Sequence, residues 1–234
     1  YKNDIEEYVF RETIKGKKEN LKGLYGGFLH ESNLQQSLEN LKLMSSKYHF
    51  YIKKELEMSN NPKPGNSFCY ITFTKASGAT LLSMILTIFG FIEYTSNFNP
   101  VDRETKKIII PKDKRFMILT GDSRNTSETL DFFNHPENKH GEYIQILIAS
   151  QVAQVGINVK NVKRGYNMTP EWHESGMYQA LSRFIRADSH DELYKEMGEK
   201  IVVEVYRLNA TTPKGISSDT KKYLLSELKD IQNK

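Results

Sequence analysis

The sequence predicts an α/β fold, a mostly parallel sheet with helices on both faces. Two short apolar runs, residues 67–73 and 143–150, are typical of strands that are buried on both faces. Segments with apolar residues at helical spacing, such as residues 79–92, lie between these runs. Strands that alternate with helices are joined by crossovers, and such crossovers make neighbouring strands parallel.

The first third of the chain predicts a helix and a linker before the first core strand. Residues 1–30 are polar and irregular, whereas residues 33–58 carry leucines and aromatics at helical spacing. Segment 60–66, rich in proline and asparagine, breaks this pattern and predicts a linker. After the first strand we expect a helix over residues 77–91, for which Ser77 is the expected N-cap.

The rest of the chain continues this alternation of strands and helices. After β-prone residues that begin at position 92, a charged segment at about 97–114 predicts an insertion. The later elements are, in order, strand 115–122, helix 125–133, strand 143–150, a weaker strand 162–168, a helix that holds residues 179–186, strand 200–208, and a last helix capped near Ser218 or Asp219.

Composition excludes several classes of protein. The chain has 234 residues, of which 38% are hydrophobic and 26% are charged, as in ordinary globular proteins. The single cysteine, Cys69, excludes an internal disulfide and a cysteine-cluster zinc site, and its apolar sequence context favours a small buried side chain. The six histidines are scattered, so we assign no metal ligands. A net charge of +4 permits a nucleic-acid partner without requiring one.

Nothing in the sequence predicts secretion or a membrane partner. The first ten residues are charged and lack the apolar core of a signal peptide. The apolar stretch 79–92 has 14 residues, which is too short to cross a bilayer. We therefore expect an intracellular location, in the cytoplasm, the nucleus or a virion. The chain begins without methionine, and we expect it to be a piece of a longer protein.

Polar residues and glycines follow several of the predicted strands. Open parallel sheets bind their ligands at the carboxyl ends of the strands. Hydroxyls, amides, lysine and backbone N–H groups bind phosphate backbones, so we expect a nucleic-acid track formed by Thr74, Lys75, Thr120, Gly121, Ser150 and Gln151. The same residue types also serve as caps and turns, and the sequence leaves that alternative open.

A glutamine and two arginines recur in the stretch MYQALSRFIRADSH, residues 177–190. On a helix, Gln179, Arg183 and Arg186 would share nearly one face, because side chains three and four residues apart are neighbours. A solvated basic face with surface ion pairs is the simpler alternative. If the helix is functional, we expect its arginines at the sheet edge that carries the polar strand ends.

Residues 146–190, ILIASQVAQVGINVKNVKRGYNMTPEWHESGMYQALSRFIRADSH, carry a family resemblance. They resemble motifs V and VI of superfamily 2 helicases, above all SWI/SNF-type ATPases and the helicase-like transcription NTPases of large DNA viruses. Ser150 and Gly156 match motif V, and the glutamine and both arginines match motif VI at every position. Residues 67–78, SFCYITFTKASG, similarly resemble motif IV.

The sequence departs from the family pattern in two places. Asn158 stands where the family has an acidic residue. Trp172 matches the start of a Trp-Asn-Pro turn, but His173 and Glu174 replace the two residues that follow. We expect Trp172 to be a packing anchor and His190 to lie at a helix end.

The resemblance implies how an ATP site would be formed. In this family two RecA-like domains clamp ATP, and the second donates arginines that offset charge developing on the γ-phosphate. Carried over, Arg186 would contact the γ-phosphate, Arg183 would support it, and Gln179 would orient the arginines or bind a phosphate oxygen. Gly156 would let the backbone pass close to the ribose, and Asn158 would hydrogen-bond a ribose hydroxyl.

The other half of such a site is missing from the sequence. The sequence has no GxxxxGK[ST] phosphate-binding loop, and no DExH-type acidic pair follows an apolar strand to hold magnesium. ATP and Mg²⁺ would therefore be held mainly by an N-terminal RecA-like domain of the same parent chain. We expect a helical lead-in at 1–60, a C-terminal RecA-like domain at 61–210 and a terminal helix at 211–234. The isolated chain would then hydrolyse no ATP. The partners implied are DNA or RNA and, through the viral relatives, the transcription machinery.

The sequence offers two alternative functions. The segment LTGDSRN resembles the elbow of some esterases, with Ser123 as nucleophile and His135 or His190 as base. The surrounding motifs do not fit that class, and an inert turn explains Ser123 better. A non-catalytic module with a degenerate helicase fold, binding nucleic acid or protein, is the second alternative. The complete motif VI argues against it.

Overall fold

The computed structural model describes residues 23–24, 28–75, 78–94, 113–121, 126–151, 156–198, 200–211 and 216–232. Within these ranges the core is a six-stranded sheet in which every neighbouring pair is parallel. Its order is β4–β5–β6–β3–β7–β8, formed by β3 Asn66–Tyr70, β4 Ile92–Glu93, β5 Arg115–Leu119, β6 Ile146–Ala149, β7 Val162–Asn167 and β8 Glu204–Arg207. A small antiparallel pair, β1 Gly23–Leu24 and β2 Leu29–His30, precedes the sheet.

Helices cover both faces of the sheet, as the sequence predicts. They are α1 Leu34–Met44, α2 Ser46–Ser59, α3 Ala79–Ile88, α4 Thr126–Phe133, α5 Glu174–Leu181, α6 Asp191–Met197 and α7 Ser218–Gln232, with a 3-10 turn at Pro136–Asn138. Alternate residues of a strand point to opposite faces. Thus Cys69 faces a core with α1, α2 and α3, while Phe68 and Tyr70 face a core with α4, α5 and α7.

The helix predicted over residues 33–58 is two helices. Ser45, with extended backbone, ends α1, and its hydroxyl accepts the N–H of Tyr48 to cap α2. A serine N-cap satisfies a donor that would otherwise lack a partner at the helix start, which favours a break. The cap of α7 is likewise one residue earlier than predicted, because the Ser217 hydroxyl accepts the N–H of Thr220 at 3.0 Å.

The Ser77 cap, the insertion and helix α6 differ in how the structure compares with the sequence predictions. The predicted cap Ser77 lies outside the described residues, and α3 instead begins after Gly78, which forms no side-chain cap. Most of the predicted insertion, residues 95–112, also lies outside them. Helix α6 was not predicted, because its seven residues are too few to show a clear apolar period.

The lead-in segment packs directly on the sheet. Tyr51 and Ile52 of α2 are fully buried, and the Tyr51 ring meets Tyr166 of β7 edge-on at 4.8 Å. Burial raises the pKa of the neighbouring Cys69 thiol well above its usual range, so this cysteine is an unreactive core residue as predicted. The described part of α2 therefore shares one core with the sheet, while the proposed domain boundary at residue 60 stays a prediction.

A buried ion pair joins α2 to the sheet. The Glu55 side chain is 0% exposed and that of Arg164 on β7 is 3% exposed, and Arg164 Nε donates to Glu55 Oε1 at 3.3 Å. The guanidinium also donates to the carbonyls of Pro64 at 2.7 Å and Gly65 at 2.9 Å, while Gln145 donates to Glu55 at 2.9 Å. Burial opposes the charge of Arg164, but the attraction and hydrogen bonds of Glu55 outweigh it and raise the pKa.

Replacing Glu55 is predicted to lower the free energy of unfolding. Glu55→Gln would leave the Arg164 charge buried without its counter-charge, which costs about 3–5 kcal/mol of unfolding free energy. Glu57→Gln is the matched control, because Glu57 is exposed on the same helix and its loss should stay within about 0.5 kcal/mol. Urea denaturation of both variants measures the difference, and equal losses would show that the ion pair does not hold α2 in place.

Candidate functional site

The helix that carries motif VI is shorter than predicted. Helix α5 ends at Leu181, so Gln179 lies on it and both arginines lie in the turns that follow. The Ser182 hydroxyl donates to the Gln179 carbonyl at 2.8 Å, which helps to end the helix. The shared helical face inferred from residue spacing is therefore wrong for Arg183 and Arg186.

Tertiary contacts explain why the chain leaves the helix at this point. Phe184 is fully buried, and its ring lies 5.1 Å from that of Phe68 on β3. The same ring covers Gly165 of β7, where an added Cβ would lie only 2.2 Å from it. The carbonyl of Arg183 accepts the N–H of Val159 at 3.1 Å, which joins the motif VI turn to the motif V segment.

The Arg186 side chain is exposed and held by two acceptors. Its Nε donates to the Ser182 carbonyl at 2.8 Å, and its Nη1 donates to the side-chain oxygen of Asn158. Asn158 and Gly156 are also exposed, and Gly156 has φ +74° with open space where a Cβ would be. The structure thus brings together a motif V residue and a motif VI arginine that the sequence separates by 28 positions.

Arg186 and Asn158 lie near the amino end of β7. His190 Nε2 lies 2.7 Å from the carbonyl of Val162, the first residue of β7, and the N–H of Asn161 donates to Ser189. His190 immediately precedes α6, so the prediction of a helix-end residue is confirmed. The expectation that the arginines share an edge with the polar strand ends is wrong, because the chain has crossed the sheet along α5 before it reaches Arg186.

The predicted nucleic-acid residues lie at the opposite, carboxyl edge. They follow β3, β5 and β6, which are adjacent in the sheet. Lys75, Gly121 and Gln151 are exposed, and Thr74 and Thr120 are half-buried. Ser150 is only 3% exposed, and its N–H donates to the Leu119 carbonyl, so its side chain is covered at this edge.

Two further residues lie at this carboxyl edge after β7: Glu171, which the sequence analysis did not select, and Trp172, which it assigned to packing. Glu171 accepts a hydrogen bond from the Tyr70 hydroxyl. Trp172 is 56% exposed, and the amino groups of Lys222 and Lys229 lie 5.7 and 5.3 Å from its ring centre. The prediction that Trp172 is a packing anchor is therefore wrong. The rule that selected the other strand ends would have found both residues if it had been applied to β7.

One of the family departures has a structural role. Glu174, in the first turn of α5, is 5% exposed and accepts from Arg207 of β8 at 2.7 Å and from Ser226 of α7 at 2.9 Å. Burial raises the pKa of the adjacent Tyr223 hydroxyl from its usual value to about 12. These contacts fix the start of α5 and therefore the path of the chain toward Arg186.

Helix α6, which follows the arginine turn, is held at its other end. Glu196 contacts Lys139 at 2.7 Å and His140 at 3.0 Å, and it also contacts Lys63. The hydrogen bond from Lys139, followed by those from Lys63 and His140, lowers the pKa of Glu196 well below its usual range. Within the described residues no group of three His, Cys, Asp or Glu side chains could hold a metal ion.

The fold and this pair of motifs define a class of protein. Residues 86–188 match the family described as the helicase conserved C-terminal domain. The resemblance to the C-terminal RecA-like domain of superfamily 2 helicases is thereby confirmed. Among the residues that the structure describes, no helix is long and apolar enough to cross a membrane.

Particular relatives come from large DNA viruses. The chain is 36% identical over 197 residues to "Putative helicase 009L" of Frog virus 3, covering 82% of this chain and 19% of that protein. It is 26% identical to the "Early transcription factor 70 kDa subunit" of Yaba monkey tumor virus, covering 86% of this chain and 29% of that protein. The chain therefore spans less than a third of either relative.

A solved structure shows a partial likeness. The crystal structure of the C-terminal part of the Fun30 ATPase domain aligns with 97% of this chain and 69% of that chain, at 16% identity and a TM-score of 0.47.

The contact between Phe184 and Gly165 yields a test of how the arginine turn is held. Gly165→Ala should lower the unfolding free energy by about 1–3 kcal/mol, because its Cβ would overlap a buried ring. The loss should shrink when Phe184→Leu makes room. Gly121→Ala is the control, since nothing lies within 4 Å of its added Cβ. Urea denaturation of the three single variants and of the Gly165→Ala/Phe184→Leu double variant measures the unfolding free energies. If Gly165→Ala costs the same free energy with Phe184 and with Leu at position 184, the two residues do not pack as described.

Proposed function

We propose that this chain is the second RecA-like half of an ATP-dependent nucleic-acid helicase or translocase. The observation that carries the proposal is the contact between Arg186 and Asn158. It gives motif V and motif VI one exposed surface, as a nucleotide bound between two domains requires. Both residues sit on turns anchored in the core, through Phe184 and Val159.

Arg186 is the proposed contact to the γ-phosphate. A guanidinium is planar, permanently charged and forked, so it can donate to phosphate oxygens as negative charge develops there. Arg183, half-buried and joined to Val159 through its backbone, is the proposed supporting residue. Gln179, exposed on α5, would orient the arginines or bind a phosphate oxygen.

Gly156 and Asn158 are proposed to meet the nucleoside. At Gly156 the backbone has left-handed φ and open space, which lets a ligand approach the main chain closely. The Asn158 amide can donate to a ribose hydroxyl. The GxxxxGK[ST] phosphate-binding loop of such enzymes has no counterpart in this sequence, so ATP and Mg²⁺ would be held mainly by an N-terminal RecA-like domain of the parent chain. Mg²⁺ would neutralise phosphate charge there.

The carboxyl edge is the proposed nucleic-acid track. Exposed Lys75, Gly121 and Gln151 offer a charge, a backbone N–H and an amide to phosphate oxygens, with Thr74 and Thr120 beside them. The Ser150 side chain is buried, so we propose that Ser150 supports the strand end beside the track and does not contact phosphate itself. The proposed track and the proposed nucleotide surface would therefore lie at opposite edges of the sheet.

The relatives suggest a setting for this activity. One is named as a putative helicase, and another as an early transcription factor subunit. A third, from African swine fever virus, is named "Termination factor NPH-I homolog" and is 32% identical over 98 residues. We therefore propose a role of the parent protein in viral transcription, in an intracellular compartment. By itself this chain is expected to hydrolyse no ATP.

Removing the proposed γ-phosphate contact tests the catalytic assignment in the full-length parent protein. Arg186→Ala should lower ATP turnover by at least about a hundredfold with nearly unchanged nucleotide affinity, because a transition-state contact affects turnover more than ground-state binding. Arg186→Lys should rescue little, because an ammonium lacks the fork. Steady-state ATPase with saturating nucleic acid, together with thermal melts, measures both variants.

The matched control for Arg186 is Lys53→Ala. Lys53 is an exposed cation on α2, on the opposite face of the sheet, so its removal should leave turnover unchanged. If Arg186→Ala turns over like the wild type, or fails only because it unfolds, the arginines form a structural surface and a non-catalytic module becomes the better reading.

Binding of nucleic acid by the parent protein should be backbone-directed. Its affinity should fall steeply with salt and ignore sequence, because phosphate contacts release counterions. Log affinity falls as log salt rises, and Lys75→Ala should make this slope less steep by about one. Lys53→Ala should not change the slope. Fluorescence anisotropy with single strands of different sequence measures this; tight, salt-insensitive binding to one sequence would contradict the proposed track.

A further inference from the structure

Asn158 and Arg186 meet side chain to side chain on the nucleotide surface. We infer that Asn158 is a positioning residue for Arg186, whose amide oxygen fixes the guanidinium in the direction from which it meets the γ-phosphate. This inference rests on the proposed function, because it takes the contact of Arg186 with the γ-phosphate as given. It assigns Asn158 a second task beside the ribose contact.

The backbone of Asn158 is fixed on both sides. Its neighbours Ile157 and Val159 are buried, with exposed fractions of 5% and 1%. Asn134, at the end of α4, donates to the Asn158 carbonyl at 2.8 Å and accepts the N–H of Lys160 at 2.8 Å. The Asn158 side chain, exposed between two buried anchors, therefore presents its amide from a rigid support.

Arg186 needs such a support because its own side chain is long and exposed. Its Nε donates to the Ser182 carbonyl and its Nη1 to Asn158, and within the described residues no hydrogen bond from Nη2 is found. Two hydrogen bonds from different nitrogens of the planar group set its orientation, and Nη2 remains to donate to an incoming phosphate oxygen. An arginine oriented before the reaction loses less freedom when the transition state forms.

An amide suits this double task. Its oxygen accepts from Arg186, while its N–H₂ group can still donate to a ribose hydroxyl. A carboxylate would keep the acceptor for the guanidinium and lose the donor. A leucine, of similar size and shape, would lose both. The three side chains therefore separate the positioning of Arg186 from simple filling of space.

The test is a double-mutant cycle in the full-length parent protein, with ATP turnover measured at saturating nucleic acid. Asn158→Leu should lower kcat by about tenfold, as expected from the loss of a hydrogen bond to a charged group. In the Arg186→Ala background the same substitution should lower kcat no further. Asn158→Asp should keep kcat within about threefold of the wild type, since its oxygen still accepts from Arg186.

Lys160→Ala is the control, because Lys160 is exposed on the same segment and its amino group pairs with Glu192 at 3.8 Å. Its kcat should equal that of the wild type. The positioning role is overturned if Asn158→Leu raises KM with unchanged kcat, or if it lowers kcat equally in both backgrounds. In either case a large loss of kcat in Arg186→Ala leaves the proposed function standing. Normal turnover by Arg186→Ala overturns both.

Discussion

The buried ion pair between Glu55 and Arg164 is the interaction on which the rest of the structure depends. It joins a helix outside the sheet to β7, and the same guanidinium holds the two carbonyls that precede β3. A buried charge is tolerated only when its partner and its hydrogen bonds are in place, so this contact fixes one arrangement of α2, β3 and β7. Strand β7 in turn carries Gly165, on which the arginine turn rests through Phe184.

The sheet separates two surfaces of different chemistry. At the amino end of β7, Asn158 and Arg186 form a small, preoriented hydrogen-bonding surface held by buried neighbours. At the carboxyl edge, exposed lysine, glycine and amide residues follow three adjacent strands, beside Trp172 with its two lysines. In the proposed function the first surface would meet the nucleotide and the second the nucleic acid, with the sheet between them.

Much of the site could be predicted because motifs are local in sequence. The family pattern selected Gly156, Asn158 and Arg186, and the structure places the last two in contact. It could not be predicted that Arg183 and Arg186 lie beyond α5, since spacing describes a helix only where the helix continues. The buried ring of Phe184 and the backbone bond between Arg183 and Val159 end that helix, and both partners are distant in sequence.

By itself the sequence determined the α/β class, the order of the core strands along the chain and the residues that carry the family motifs. Apolar runs and local periods encode these features, because they depend on neighbours within a few residues. Only the tertiary structure decided where the elements meet: the break at Ser45, the exposure of Trp172, the burial of Ser150 and the edge at which Arg186 lies. Each of these depends on contacts between segments far apart in the chain, which a local pattern does not record.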